Sequence, residues 1–228
     1  MKAEYLVPEL VIPADWTFRN ANVADTFERH VREQLPWYEL ATGAVAHVAR
    51  HYIGAGGLVY DIGASTGNVS RSLAKTIEAR GARIVSIESS AEMVERFEGF
   101  GEIELADALG YDFEPFDVAV MFLTLMFTPV AQRLGFLRRL YARTKPGGAL
   151  IIFDKTEVGM GYLSTVLHRL TIAGKVATGC DPKEIIEKEL SLAGVQRPLS
   201  FSFISMALPH SVEVFRFGEF AGYVIEAP

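Results

Sequence analysis

From residue 58 to residue 154, short apolar runs alternate with stretches whose apolar positions recur every three or four residues. The runs LVYDI (58–62), RIVSIE (83–88), IEL (103–105), FDVAVMF (116–122) and ALIIFD (149–154) predict strands, the longer ones covered on both faces. Between them, Val69, Leu73 and Ile77 predict the inward stripe of a helix over 68–80, with Gly81 just past its end. Ser89 with Glu92 reads as a capping box that opens another helix. Thr128-Pro129 starts a helix with the stripe Val130, Leu134, Leu137 and Tyr141. KPGG (145–148) predicts a turn.

Two helices are expected before this block. Val23, Phe27, Val31 and Leu35 mark the first, which Pro36 ends, and Ala41, Val45, Val48 and Tyr52 mark the second. After the block come a helix carrying Leu163, Val166, Leu167 and Leu170, and another from Asp181-Pro182 to near Gly194. VEVFRF (212–217) and FAGYVIE (220–226) predict a final strand pair joined at Gly218. Alternating strands and helices imply right-handed crossovers. The expected fold is a doubly wound, mostly parallel seven-stranded α/β sheet with an antiparallel C-terminal strand. The expected organisation is one domain over 1–228. Residues 1–53 form an N-terminal helical cap, and 54–228 form the core, with lid helices at about 157–194.

Composition narrows the function classes. A chain of 228 residues with 50% hydrophobic content suits a full-sized core. A net charge of −6 argues against a protein held to nucleic acid by a basic surface. The single cysteine, Cys180, excludes an intramolecular disulfide and a cysteine-rich zinc site, and no metal is expected. MKAEYLVPEL carries no signal-peptide core, and no apolar run reaches the ~20 residues of a membrane span, so a cytoplasmic protein is expected.

The candidate chemistry centres on VYDIGASTGNVS (59–70). A phosphate loop would need a Lys after Gly67, and here Asn68 follows. A dinucleotide fingerprint needs glycine at positions that Ser65 and Asn68 occupy. Asp61 at the mouth of the turn would repel a phosphate and attract a cation. Glu88 ends the second strand, where an acid accepts hydrogen bonds from a ribose diol. Asp107, after the third strand, can accept from an exocyclic amine. A cationic adenine nucleoside without phosphate meets all of these demands, and S-adenosylmethionine is such a molecule.

DIGASTG and SIE resemble the first two motifs of the class I S-adenosylmethionine-dependent methyltransferases. Within that family the chain is most similar to the carboxy-S-adenosylmethionine synthases and their methyltransferase relatives. FERHVREQLPWYE, IESSAEMVER, MFLTLMF, RLYARTKPGGALIIFDK and VEVFRFGEFAGYVIE carry this likeness. The resemblance implies a homodimer, and cofactor contacts from Tyr38, Gly63, Ala64, Ser65, Glu88, Ser89, Asp107 and Ala108. Asp61, Gly67, Met93 and Phe122 complete the candidate cofactor set. Two positions depart from those synthases. Phe122 stands in place of Asn, and Lys188-Glu189 matches a Lys-Arg pair whose Arg holds the carboxylate of the modified cofactor. A Glu there is expected to repel a carboxylate, which favours plain methyl transfer over the synthase reaction.

Methyl transfer needs mainly in-line positioning, so no catalytic triad is expected. Trp37, Thr124, Lys155 and His168 are the candidate substrate contacts, and His30 and His47 read as helix-surface residues. Arg138, Arg139, Arg143 and Lys145 read as a solvated face. The Asp/Asn-Pro-Pro-aromatic signature of base amino-methylation is absent, so a small-molecule acceptor is expected rather than a nucleic acid. A synthase-like or tRNA-modifying enzyme and a non-catalytic cofactor-binding regulator stand as alternatives.

Overall fold

The computed structural model describes residues 10–157, 161–207 and 210–228. The first nine residues, on which the reading of the chain's start rests, lie outside them, as do 158–160 of the expected lid. The apolar runs form one sheet from β1 (Leu58–Ile62), β2 (Arg83–Glu88), β3 (Glu102–Leu105), β4 (Phe116–Phe122), β5 (Thr144–Lys155), β6 (Val212–Phe217) and β7 (Phe220–Glu226). Their order is β3-β2-β1-β4-β5-β7-β6. The first five strands are parallel, and β7 runs antiparallel to both β5 and β6. Strand order reverses between β1 and β4, which opens a crevice at their carboxyl ends.

Along β4 the side chains alternate. Val118 and Val120 enter one core with Ala41, Val45, Leu73 and Ile77, while Ala119 and Met121 enter the other with Phe136, Leu137 and Leu140. The helices that supply these residues are α2 (Tyr38–Ala49), α3 (Asn68–Arg80) and α5 (Val130–Arg143). Before them lies α1 (Ala21–Gln34), whose N-terminus is capped by the Asn20 side chain, which accepts from the N–H of Asn22 and Val23. After β2 comes a single turn, α4 (Ala91–Val94). The last helices are α6 (Tyr162–Ala177), α7 (Pro182–Ser191) and α8 (Phe201–Ala207).

Several local expectations are corrected. The cap of α4 is Ser90 rather than Ser89: its Oγ accepts from Met93 N–H and donates to Glu92. The stretch 145–148 belongs to β5, because Thr144 already pairs with Phe116 across a bulge. The second helix ends at Ala49, short of Tyr52, which packs against the core as expected and hydrogen-bonds Glu226 through its hydroxyl. The inward face of α5 is Arg133, Phe136, Leu137 and Leu140, with Val130 and Tyr141 exposed. Arg133 faces inward because its guanidinium donates to the carbonyls of Met126, Thr128, Arg197 and Pro198. A reading that treats Arg as an outward residue rotates the helix. In α6, Leu163, Val166 and Leu170 are exposed while Thr171 and Lys175 face inward. No expectation covered α8.

Candidate functional site

A large cavity opens at the carboxyl ends of β1, β2, β4 and β5, under α1, α6 and α7. The turn after β1 is set by local geometry. Gly63 has φ +72°, and its N–H and that of Ala64 both donate to Ile87 O. Ser65 (φ +50°) and Leu123 (φ +60°) are the non-glycine residues in the left-handed region among those described. Both line the cavity. Such strained backbone concentrates at ligand sites.

Asp61 and Glu88 form an acidic end. Burial pushes Asp61 up to about 7, the Ser70 N–H lowers it, and Glu88 raises it again. Glu88 accepts from Ser65 N–H at 2.9 Å, Ser89 N–H at 2.7 Å and Ser90 N–H at 2.9 Å. One carboxylate therefore joins the glycine turn to the end of β2. Met93 closes this end, with Ser65 Oγ 3.4 Å from its sulfur.

The opposite end carries lysines. Lys155, the last residue of β5, and Lys175 of α6 are both buried. Glu189 of α7 bridges them, with Oε1 3.0 Å from Lys175 Nζ and Oε2 3.6 Å from Lys155 Nζ. Burial alone would raise the Glu189 pKa, but the two ammonium groups outweigh it and hold it below the usual carboxylate range. Neighbouring Lys188 meets His30 of α1. An apolar wall of Tyr38, Phe122, Phe27, Trp16 and Phe127 runs between the two ends. Tyr38 meets Phe122 edge-on at 5.4 Å, and burial raises its phenol pKa, keeping it protonated.

The cavity brings together Tyr38, Asp61, Gly63, Ala64, Ser65, Glu88, Ser89, Met93, Phe122, Thr124 and Lys155 of the predicted residues. It leaves others off its wall. Gly67 is the left-handed N-cap of α3, packed so closely on Gly99 that a Cβ there would meet backbone. Asp107 is exposed and accepts from Leu109 N–H, and the Ala108 carbonyl is bound by Arg139. Trp37 is core, tilted against Phe215 and Phe220. His168 is on the outer side of α6, 3.1 Å from Glu219. His30, expected on a helix surface, is buried and lines the cavity, because α7 covers α1 there. Sequence reasoning also missed Trp16, Gln34, Thr171 and Lys175. A polar residue breaking an apolar face, such as Lys175 on α6, is the one signal that marked the last three; Trp16, outside any helix or strand, carried none. Among the described residues, no group of three His, Cys, Asp or Glu side chains is placed to hold a metal, and no helix is long and apolar enough to cross a membrane.

Residues 59–148 match a family model described as a methyltransferase domain. The chain is 30% identical over 201 residues to carboxy-S-adenosyl-L-methionine synthase of Pseudomonas aeruginosa (strain UCBPP-PA14), covering 82% of this chain and 81% of that protein. The Pseudomonas putida (strain W619) protein of the same name is 30% identical over 197 residues, covering 81% and 79%. In fold, the chain is similar to the plantazolicin methyltransferase BpumL in complex with SAH (TM-score 0.61, 11% identity, 90% and 89% covered). It is also similar to DhpI in its SAH complex (TM-score 0.60, 15% identity, 91% and 93% covered).

Proposed function

Because the chain belongs to the class I S-adenosylmethionine-dependent methyltransferases, in the group of the carboxy-S-adenosylmethionine synthases, we propose that it moves a methyl group from S-adenosylmethionine to a small-molecule acceptor. The observation that carries this reading is the cavity's polarity. Asp61 and Glu88 at one end suit the cationic nucleoside, and the lysine-lined end under α6 and α7 is left for the acceptor. Glu88 serves the ribose hydroxyls, the turn 63–65 lies along the methionine part, and Tyr38 and Phe122 shield the sulfonium. Gly67, Asp107 and Ala108 act at one remove, by shaping the turns that flank the cofactor. α1 and α2 serve as a cap and α6 and α7 as a lid. The exposed Leu163, Val166 and Leu170 of α6 support the homodimer that the family resemblance implies. A cytoplasmic location remains part of this proposal. Calorimetry is expected to show S-adenosylhomocysteine binding, with NAD, ATP and FMN silent; NAD binding in its place would sink the reading.

Asp61 makes that binding depend on pH. Its carboxyl titrates at about 7, and a cationic ligand prefers the carboxylate. Affinity for S-adenosylmethionine should therefore rise as pH increases through 7 and level off above it. For one pKa unit of differential interaction the expected gain between pH 6 and 8 is about fivefold. Without ligand, the raised pKa makes the folded state hold a proton that the unfolded state has released. The Asp61 contribution to stability therefore falls between about pH 4 and 7 and is flat above. A flat affinity profile in calorimetry from pH 5.5 to 8.5, together with an unchanged profile in Asp61→Asn, would exclude the role.

A specific observation favours a second reading, in which the chain handles the carboxylated cofactor. Glu189 was expected to repel a carboxylate, but Lys155 and Lys175 together outweigh its charge. The pair Lys188-Glu189 also lines the cavity of its own chain. Mass spectrometry of ligand released from freshly purified protein separates the readings. S-adenosylmethionine or S-adenosylhomocysteine is expected, and the carboxylated form would select the second reading.

A further inference from the structure

Lys188 has no carboxylate within ion-pair distance among the described residues, whereas Lys155 and Lys175 share Glu189. Its Nζ lies 2.8 Å from His30 Nε2 and 2.9 Å from the centre of the Trp16 ring. The charged groups that bear on it are Lys175 from α6 and Glu189 from its own helix. From α1 comes His30, itself acted on by Lys188, Lys175 and Arg29. Trp16, from the segment before α1, brings no charge. Burial, reinforced by Lys175, holds Lys188 well below the ordinary lysine range, with Glu189 opposing. Burial, before any charge, pushes His30 down as well. Burial therefore favours the uncharged form of each group, since a low-dielectric wall disfavours the charged forms.

The cavity that this amine lines is the one that carries Asp61, Gly63 and Glu88 at its other end. An ammonium with no carboxylate beside it would repel the sulfonium of the cofactor, whereas an uncharged amine does not, and Lys155 and Lys175 share the charge of Glu189. We propose that Lys188 accepts the proton that the methyl acceptor loses, so that the acceptor reacts through an O–H or N–H group. This rests on the methyl-transfer reading. A lone pair on the acceptor heteroatom forms the bond to the methyl carbon. The carbon–sulfur bond breaks, and its electron pair stays on sulfur as the neutral thioether of S-adenosylhomocysteine. The proton passes from the heteroatom to the lone pair of Lys188 Nζ. One positive charge leaves the sulfonium and one arrives on Lys188, so the cavity's net charge is unchanged by the step. The new ammonium already has its partners: the Trp16 ring face and the His30 imidazole.

The test uses the full chain, methyl-labelled S-adenosylmethionine and the low-molecular-mass fraction of a cell extract, with labelled product followed from pH 6 to 9. Lys188→Met is expected to lower label transfer about 100-fold or more, within the usual range for removing a proton-transfer group. Lys188→Arg, which cannot be neutral, should stay equally slow. Lys188→Ala should regain activity when ethylamine is added, and more basic and less basic amines should rescue to different extents. Calorimetry with S-adenosylhomocysteine should give affinities within about twofold of wild type, which identifies an intact site. Wild-type rate or an unchanged pH profile in Lys188→Met would overturn the proposal. So would a loss that no amine rescues, because a purely structural lysine behaves that way. If the wild-type protein itself transfers no label, the methyl-transfer reading falls and takes this proposal with it, an outcome distinct from failure in the variants alone.

Discussion

Glu88→Ala is expected to weaken S-adenosylhomocysteine binding by roughly 1.5–3 kcal/mol, about 10- to 150-fold. Two causes act together. The ribose hydroxyls lose a charged acceptor, and the N–H groups of Ser65, Ser89 and Ser90 lose the carboxylate that holds them in place. The second cause loosens the turn against which the cofactor lies. Glu88→Gln separates them: it keeps the shape and one acceptor oxygen but drops the charge, so its affinity should fall between wild type and Ala. Calorimetry at one pH, with thermal denaturation alongside, reads both effects. An alanine variant that binds as tightly as wild type would remove the ribose role from Glu88 and leave it a purely structural tie.

Gly63→Val should abolish measurable binding while the sheet survives. A Cβ at this position would sit 2.6 Å from both Thr124 Cγ2 and Thr124 Oγ1, and the backbone φ of +72° is costly for a β-branched residue. Thr124 cannot move aside freely, because its Oγ1 donates to Ile62 O at 2.9 Å. Strain and overpacking together amount to roughly 2–5 kcal/mol, which lowers Tm by about 5–15 °C in a chain of this size. Gly81→Ala is the control. Gly81 also has a positive φ, but its added Cβ meets open space, so it should cost stability and leave binding untouched. If Gly63→Val bound S-adenosylhomocysteine normally, the turn would not be the cradle.

The parts of the site that were legible beforehand lie on strand ends. Asp61, Gly63 and Glu88 could be placed because β1 and β2 are apolar runs whose ends are marked by a change in composition, and parallel strands in register bring those ends to one edge. Asp107 was placed by the same logic, and Ala108 by the family resemblance, and yet both lie off the cavity wall. β3 is a short, mostly exposed edge strand, and the turn after it is organised by Asp107 accepting from Leu109 N–H. Trp37 and His168 show the limit of reading one element at a time. Whether an aromatic or a histidine on a helix meets ligand or neighbour depends on what packs above it.

The chain's own pattern determined the sheet, its mostly parallel sense and the glycine turn, because these follow from side-chain period and from backbone conformations that neighbouring residues impose on each other. Tertiary structure alone decided the acceptor end of the cavity. His30 and Lys188 are 158 residues apart in sequence and 2.8 Å apart in space. Lys155, Lys175 and Glu189 come from one strand and two separate helices. No local period encodes such meetings. A lysine on a helix reads as solvated until the helix is packed, and only packing removes the water that would keep its charge. The sign of the Glu189 site reversed for the same reason: the residue taken alone repels an anion, and the two lysines folded against it turn its surroundings positive.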